Sequence, residues 1–138
     1  MTEGTKIALL ALVAGGTAFL AGAHALSMEK LNFNDLTNLA KNAGFDGDNS
    51  YIAAAIALAE SSGNPDAVGD LNLTPGGSVG LWQINLKAHP EFSNLDLKNP
   101  TYNAQAAYLV YSQAGNSFSP WSTFKNDAYL AYLPTGLL

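Results

Sequence analysis

The chain of 138 residues contains no cysteine and no arginine. Without cysteine there can be no disulfide framework, no thiol catalysis and no thiolate metal site. Charge is also scarce. Only 12% of the residues are charged, about half the usual share, and six lysines face eleven acids for a net charge of −5. A nucleic-acid binder needs a basic face, and none can be assembled from this set, so nucleic acid is not an expected partner. Two histidines without a carboxylate pattern make no metal site, and neither a metal nor a cofactor is expected. His89, just ahead of Pro90, reads as a surface residue. Apolar residues, at 48%, are too many for a disordered chain. The length corresponds to one domain that buries roughly 70% of its unfolded surface. Thirteen asparagines supply the polarity that charge does not. Such a surface suits a neutral, hydroxyl-rich ligand, although a compositional habit of the source genome would produce the same count.

One long run stands apart. Ile7 to Leu26 is uncharged over twenty residues, with Thr17 and His24 its only clearly polar members. At 1.5 Å per residue such a run reaches roughly 30 Å, the thickness of a bilayer's hydrocarbon. Residues 1–26 therefore read as a transmembrane anchor or as a signal segment, with Ala23-His24-Ala25 as the small-x-small cleavage site. The anchor is favoured, because Glu3 accompanies Lys6 in the short flank and the apolar run continues almost to the site. Either way residues 27–138 are expected to be exported or displayed.

Residues 27–138 read as one mainly helical unit. Asp35 to Ala43 forms a short helix with Asn34 as cap and Gly44 as stop. A second helix, Tyr51 to Ser62, can be capped by Asp48, Asn49 or Ser50 and is ended by Gly63. Its run from Ile52 to Ala59 is apolar nearly all round, which predicts a central, buried helix. Asp46, Asp48 and Ser50 imitate the start of a calcium loop, but Tyr51 and Ala57 fall where that loop needs glycine and glutamate, so helix capping is the expected role. Asn64 to Gly80 is turn chemistry with room for one small hairpin. Asn99 and Pro100 open a third helix that Gly115 closes. Ser119-Pro120 opens a last helical stretch to about Leu133.

Glu60 lies in the last turn of the apolar helix. The apolar run desolvates it, the carbonyls of the helix C-terminus repel its anion, and no basic residue stands within ten positions to stabilise that anion. All three raise its proton affinity, and a carboxyl that stays protonated near neutral pH is what general acid catalysis of glycosidic cleavage requires. A solvated glutamate at a frayed helix end is the competing description.

Three blocks around this residue carry a family likeness. Glu60-Ser61-Ser62-Gly63-Asn64-Pro65 runs on through Asp66-Ala67-Val68-Gly69. Gly80-Leu81-Trp82-Gln83-Ile84-Asn85 comes next. Asn99-Pro100, Asn103-Ala104, Ala106-Ala107, Tyr111, Gly115 and Pro120-Trp121 follow. Together, from Ser50 to about Tyr132, they resemble lytic transglycosylases and goose-type lysozymes. The resemblance implies an α+β, mainly α, lysozyme-like domain with a small β-hairpin region, preceded by the N-terminal helix. It implies Glu60 as the catalytic acid and a sugar cleft lined by the Gln83 segment, where the amide of Gln83 can donate to and accept from an N-acetyl group. Asn103 and Tyr111 fall on one face of the third helix. Asn103 would either position the Glu60 side of the cleft or tie the helix to a loop, and Tyr111 and Trp121 would either stack on pyranose rings or fill the core.

The activity implied is a peptidoglycan lytic transglycosylase with one catalytic glutamate. The 6-hydroxyl of the N-acetylmuramyl residue serves as nucleophile, so neither Asp66 nor Asp70 is required. Lysozyme-type hydrolysis, which would enlist one of these aspartates, and an inactive glycan-binding structural protein are the alternatives. The expected partners are the glycan strands of peptidoglycan and, through residues 7–26, a membrane. A bacteriophage virion or a secretion complex would fit as the setting, with the domain facing the periplasm and cell wall.

Overall fold

The computed structural model describes residues 29–73 and 75–138. The apolar run 7–26 and its anchor or signal role lie outside the described residues. Among those described, no helix is long and apolar enough to cross a membrane.

Helix α1 spans Phe33–Ala43. Asn32 caps it, not Asn34. The Asn32 side chain accepts from the Asp35 N–H at 2.9 Å, and the Asp35 carboxylate accepts from the Asn32 N–H at 3.1 Å. This reciprocal box satisfies two donors at once, which is why the helix starts earlier than the isolated Asn34 signal suggests. Gly44 ends it as expected. Helix α2 spans Asp48–Ser61 and starts at Gly47 with no side-chain cap, so the capping expected of Asp48, Asn49 or Ser50 is not made. Ser50 is already inside the first turn, fully buried, and its hydroxyl donates to the Gly47 carbonyl instead. Ser62, in a left-handed conformation, closes α2 one residue before Gly63.

Ala53 through Ala57 are completely buried. The four alanines among them let neighbouring elements approach the α2 backbone closely, while Ile56 fills the core, so α2 is the axis of the domain. Helix α1 packs on it from one side, and the C-terminal segment packs on it as well. Leu36, Ala40, Leu81, Trp82 and Phe92 complete the centre of the core, all at 1% exposure or less.

After α2 the chain makes a three-stranded antiparallel sheet in the order β1-β2-β3: Val68–Gly69, Ser78–Val79 and Ile84–Asn85. Val68 pairs with Val79 and Val79 with Ile84, while Gly69 pairs with Ser78 and Ser78 with Asn85. One hairpin was the expectation. The third strand forms because Gly80 and Gln83 both adopt positive φ, turning the chain back within four residues. Helix α3, Pro100–Gln113, begins at Asn99, whose side chain accepts from Tyr102 N–H, with Pro100 in the first turn. The final stretch is not one helix. It divides into α4, Ser122–Lys125, and a 3-10 turn, Ala128–Tyr132. The Asn126 side chain takes the Ala128 N–H and Asp127 turns left-handed, which stops α4. An aromatic cluster links this end to α3. Phe118 lies 4.6 Å from Tyr111, 5.7 Å from Phe45 and 5.5 Å from Phe124, centroid to centroid.

Candidate active site

The last turn of α2, the sheet and the Pro120–Lys125 segment enclose an open cleft of about 600 Å³. Glu60, Asp70, Ser78 and Gln83 line it, together with Ile84, Asn85, Ala88 and His89 from β3 and the turn after it. Val110, Pro120, Trp121, Ser122 and Lys125 line it from α3 and the C-terminal side. The lining is mainly polar, with apolar faces from Ile84, Val110, Pro120 and Trp121. That mixture suits pyranose rings, which carry hydroxyls on their edges and C–H groups on their faces.

Glu60 is half-buried in this cleft, with its pKa pushed up to about 7. Desolvation is the larger cause and the negative charge of Asp70 the second. The first cause is the one anticipated from the apolar run. The second arises because Asp70, one of the two loop aspartates that hydrolysis would enlist, lines the same cleft. At neutral pH Glu60 therefore exists in both forms, able to release a proton and to take one back. Asp66 is exposed, outside the cleft lining, and its N–H is held by the Asn64 side chain in a turn.

Gln83 reaches the cleft with its amide partly committed. Both of its hydrogen bonds as donor go to main-chain carbonyls, Ala67 at 3.1 Å and Gly80 at 3.0 Å. The side chain can therefore offer its Oε1 as an acceptor, but its Nε2 is occupied. Trp121 contributes to the cleft lining but is only 4% exposed, and its indole N–H donates to the Trp82 carbonyl at 2.8 Å. Trp82 in turn donates to Ala53 of α2 at 2.9 Å. The two indoles thus chain the cleft's far side to the central helix.

The structure places Asn103 and Tyr111 away from the cleft lining. Asn103 is fully buried and ties α3 to the loops. It accepts from Trp82 N–H at 2.8 Å and donates to Val79 at 2.8 Å and Leu97 at 2.9 Å. Gly80 lies against it so closely that a Cβ there would collide with the Asn103 amide and the Leu97 carbonyl. Asn103 thus fixes the backbone that presents Gln83. Tyr111 is 7% exposed and packs among Phe45, Tyr108 and Phe118. Burial, with Asp46 and Tyr108 nearby, pushes its phenol pKa up.

Sequence reasoning missed Ser78, His89 and Lys125. His89 is half-buried rather than a free surface residue: it lines the cleft, its ring is tilted against that of Phe92 at 6.0 Å, and it approaches Glu91 at 3.5 Å. It stands immediately before the 3-10 turn Pro90–Phe92, at the end of the turn that follows β3. Among the described residues no group of three or more histidines and acids could hold a metal ion.

A family model described as a lysozyme-like domain matches residues 37–123, more than half of the chain. The chain belongs to this lysozyme-like family. The match begins in α1 and ends in α4, so it contains Glu60 and most of the cleft. A lysozyme-like domain implies peptidoglycan as substrate and a glycosidase or transglycosylase as activity. No curated protein and no solved structure gives a match.

Proposed function

We propose that this lysozyme-like domain is a peptidoglycan lytic transglycosylase that cleaves the β-1,4 bond between N-acetylmuramyl and N-acetylglucosaminyl residues. The observation that carries this reading is the Glu60 carboxyl, half-buried in an open, largely polar cleft with its pKa pushed up to about 7. Glu60 protonates the glycosidic oxygen as the bond from C1 breaks. The resulting carboxylate then takes the proton of the muramyl 6-hydroxyl while that oxygen bonds to C1, closing a 1,6-anhydro ring and returning Glu60 to its acid form. A group with a pKa near the working pH serves both half-reactions. The Gln83 Oε1 accepts from a sugar hydroxyl or an N-acetyl N–H, and Trp121 contributes apolar surface to the cleft wall.

Asp70 favours a second reading. A second carboxylate in the cleft could activate water, giving lysozyme-type hydrolysis. Digestion of sacculi followed by mass spectrometry separates the two. Anhydro ends, one water lighter than reducing ends, support the transglycosylase. Reducing ends alone, with Asp70→Asn as inactive as Glu60→Gln, establish the hydrolase. A blank zymogram with the purified chain would instead favour an inactive glycan-binding protein.

The proposed setting is a membrane, with residues 7–26 as the anchor, the domain facing the cell wall, and a virion or secretion complex as the larger assembly. Release of the intact chain into a detergent-free soluble fraction would refute the anchor.

A further inference from the structure

We propose that Ser78 and Asn85 are positioning residues that fix the Asp70 carboxylate inside the cleft lined by Glu60, and so set the charge that the catalytic acid faces. This deepens the one-acid reading above by giving Asp70 a role other than activating water.

The directions of three hydrogen bonds carry the argument. The Ala88 N–H donates to Asn85 Oδ1 at 2.9 Å. A main-chain N–H can only donate, so it sets which way round the Asn85 amide lies. The amide therefore presents Nδ2 to Ser78, and Nδ2 donates to the Ser78 hydroxyl oxygen at 3.3 Å. The one hydroxyl proton of Ser78 is then directed away, onto Asp70 Oδ2 at 2.8 Å. The relay ends on Asp70 Oδ2 as its acceptor, so the side chain is held by a hydroxyl that is itself oriented.

The backbone supports the same placement. Ser78 is 3% exposed and sits in the middle strand, paired with Gly69 on one side and Asn85 on the other. Asp70 has a left-handed φ of 59°, and its carbonyl accepts from the Leu73 N–H at 3.0 Å, so its backbone is held in a tight turn. Gly77 makes this register reachable, since a Cβ there would collide with the Gly69 carbonyl. Asp70 is exposed as a residue, and without the Ser78 bond its side chain would be free to swing into solvent.

The charged surroundings of Glu60 are few. Among the described residues Asp70, from the β1–β2 loop, is the only other acid lining the cleft. His89, from the turn after β3, is 3.5 Å from Glu91, and Lys125, from α4, completes the ionisable set. A fixed Asp70 therefore adds a negative charge, on top of burial, that a departing Glu60 proton must leave against.

The test titrates Glu60 directly. The full-length chain, in detergent micelles and labelled with carboxyl-¹³C glutamate, is followed by NMR from pH 4 to 9, with Glu60→Gln assigning the signal. Asp70→Asn should lower the Glu60 midpoint by roughly one pH unit, the size of a nearby like-charge effect. Ser78→Ala and Asn85→Ala should each lower it by about half as much, because the charge remains but is no longer held. Ser78→Thr, which keeps the hydroxyl, should restore the parent midpoint. The alkaline limb of the cleavage rate should move in the same order. Asn85→Ala breaks the relay without touching the central strand's own serine, so a misfolded Ser78→Ala does not spoil the test. If folded Ser78→Ala or Asn85→Ala titrates like the parent, or if Ser78→Thr fails to restore the midpoint, the inference is wrong. The two readings fail separately. Shifted midpoints without glycan cleavage at any pH would sink the proposed activity alone, and cleavage with unmoved midpoints would sink this inference alone.

Discussion

Replacing Asn103 with alanine should cost more stability than any other single asparagine change among the described residues. The side chain is fully buried and makes three hydrogen bonds, two as donor and one as acceptor, all to main-chain groups 6 to 24 residues away in sequence. Alanine leaves the Trp82 N–H without its partner inside the core, and an orphaned buried donor costs about 1–3 kcal/mol. The carbonyls of Val79 and Leu97 each lose a bond as well. They keep a second lone pair, so each loss is nearer the lower end, about 0.5–1 kcal/mol. A small void adds to this. The sum is about 3–5 kcal/mol, a large part of the 5–15 kcal/mol typical of a whole domain. At roughly 4 °C per kcal/mol for a domain of this size, Tm should fall by about 12–20 °C. Both tryptophans are buried, Trp82 at 1% and Trp121 at 4%, so near-ultraviolet circular dichroism reports the loss of this core. Asn94→Ala, an exposed control, should change stability by no more than about 0.5 kcal/mol. If Asn103→Ala unfolds within about 1 kcal/mol of the parent, the three bonds do not hold the loops to α3 and the reasoning fails.

Other outcomes follow from the same geometry. Glu60→Gln should lower glycan cleavage by roughly 10²-fold or more while the circular dichroism spectrum is unchanged, since the amide keeps the shape but delivers no proton. Cleavage should fall about tenfold per pH unit above the Glu60 pKa of about 7, because only the acid form starts the reaction. The same group makes a stability prediction. The folded pKa is raised from 4.5, so between pH 4.5 and 7 the unfolded chain releases this proton first and stability declines as pH rises. Glu60→Gln removes that decline, and its Tm should exceed the parent's at pH 8 by more than at pH 4, as differential scanning calorimetry would register. Trp121→Phe should cost about 1 kcal/mol through the lost bond to the Trp82 carbonyl, read as a lower midpoint in urea.

Much of this was written in local sequence. The apolar run from Ile52 to Ala59 made α2 central, because a helix without a polar face can only be stable when surrounded. Asn99 with Pro100 placed the start of α3 to the residue, since an asparagine side chain and a ring-fixed φ act over one turn. The same run also marked Glu60 as poorly solvated. Where local signals competed, nearby structure decided. Asn32 displaced Asn34 as the α1 cap because Asp35 could answer it, and Asn126 with Asp127 divided a stretch whose composition reads as one helix.

The cleft was a different matter. Asp70, Ser78, Asn85, His89 and Lys125 come from four separate stretches of chain, and only the folded sheet, the turn after it and α4 bring them to the cleft that Glu60 lines. Asparagine chemistry is equally ambiguous before folding: Asn103 became an internal tie and Asn85 a cleft residue, although both carry the same amide. A residue's type and helical phase fix what it can bond to, but the partner's position depends on loop paths whose closure is weakly encoded by any short segment. Sequence alone therefore placed an acid at the end of a buried helix and supplied reasons for its proton affinity to rise. Tertiary structure decided which charge it faces, and which of the candidate residues reach the cleft at all.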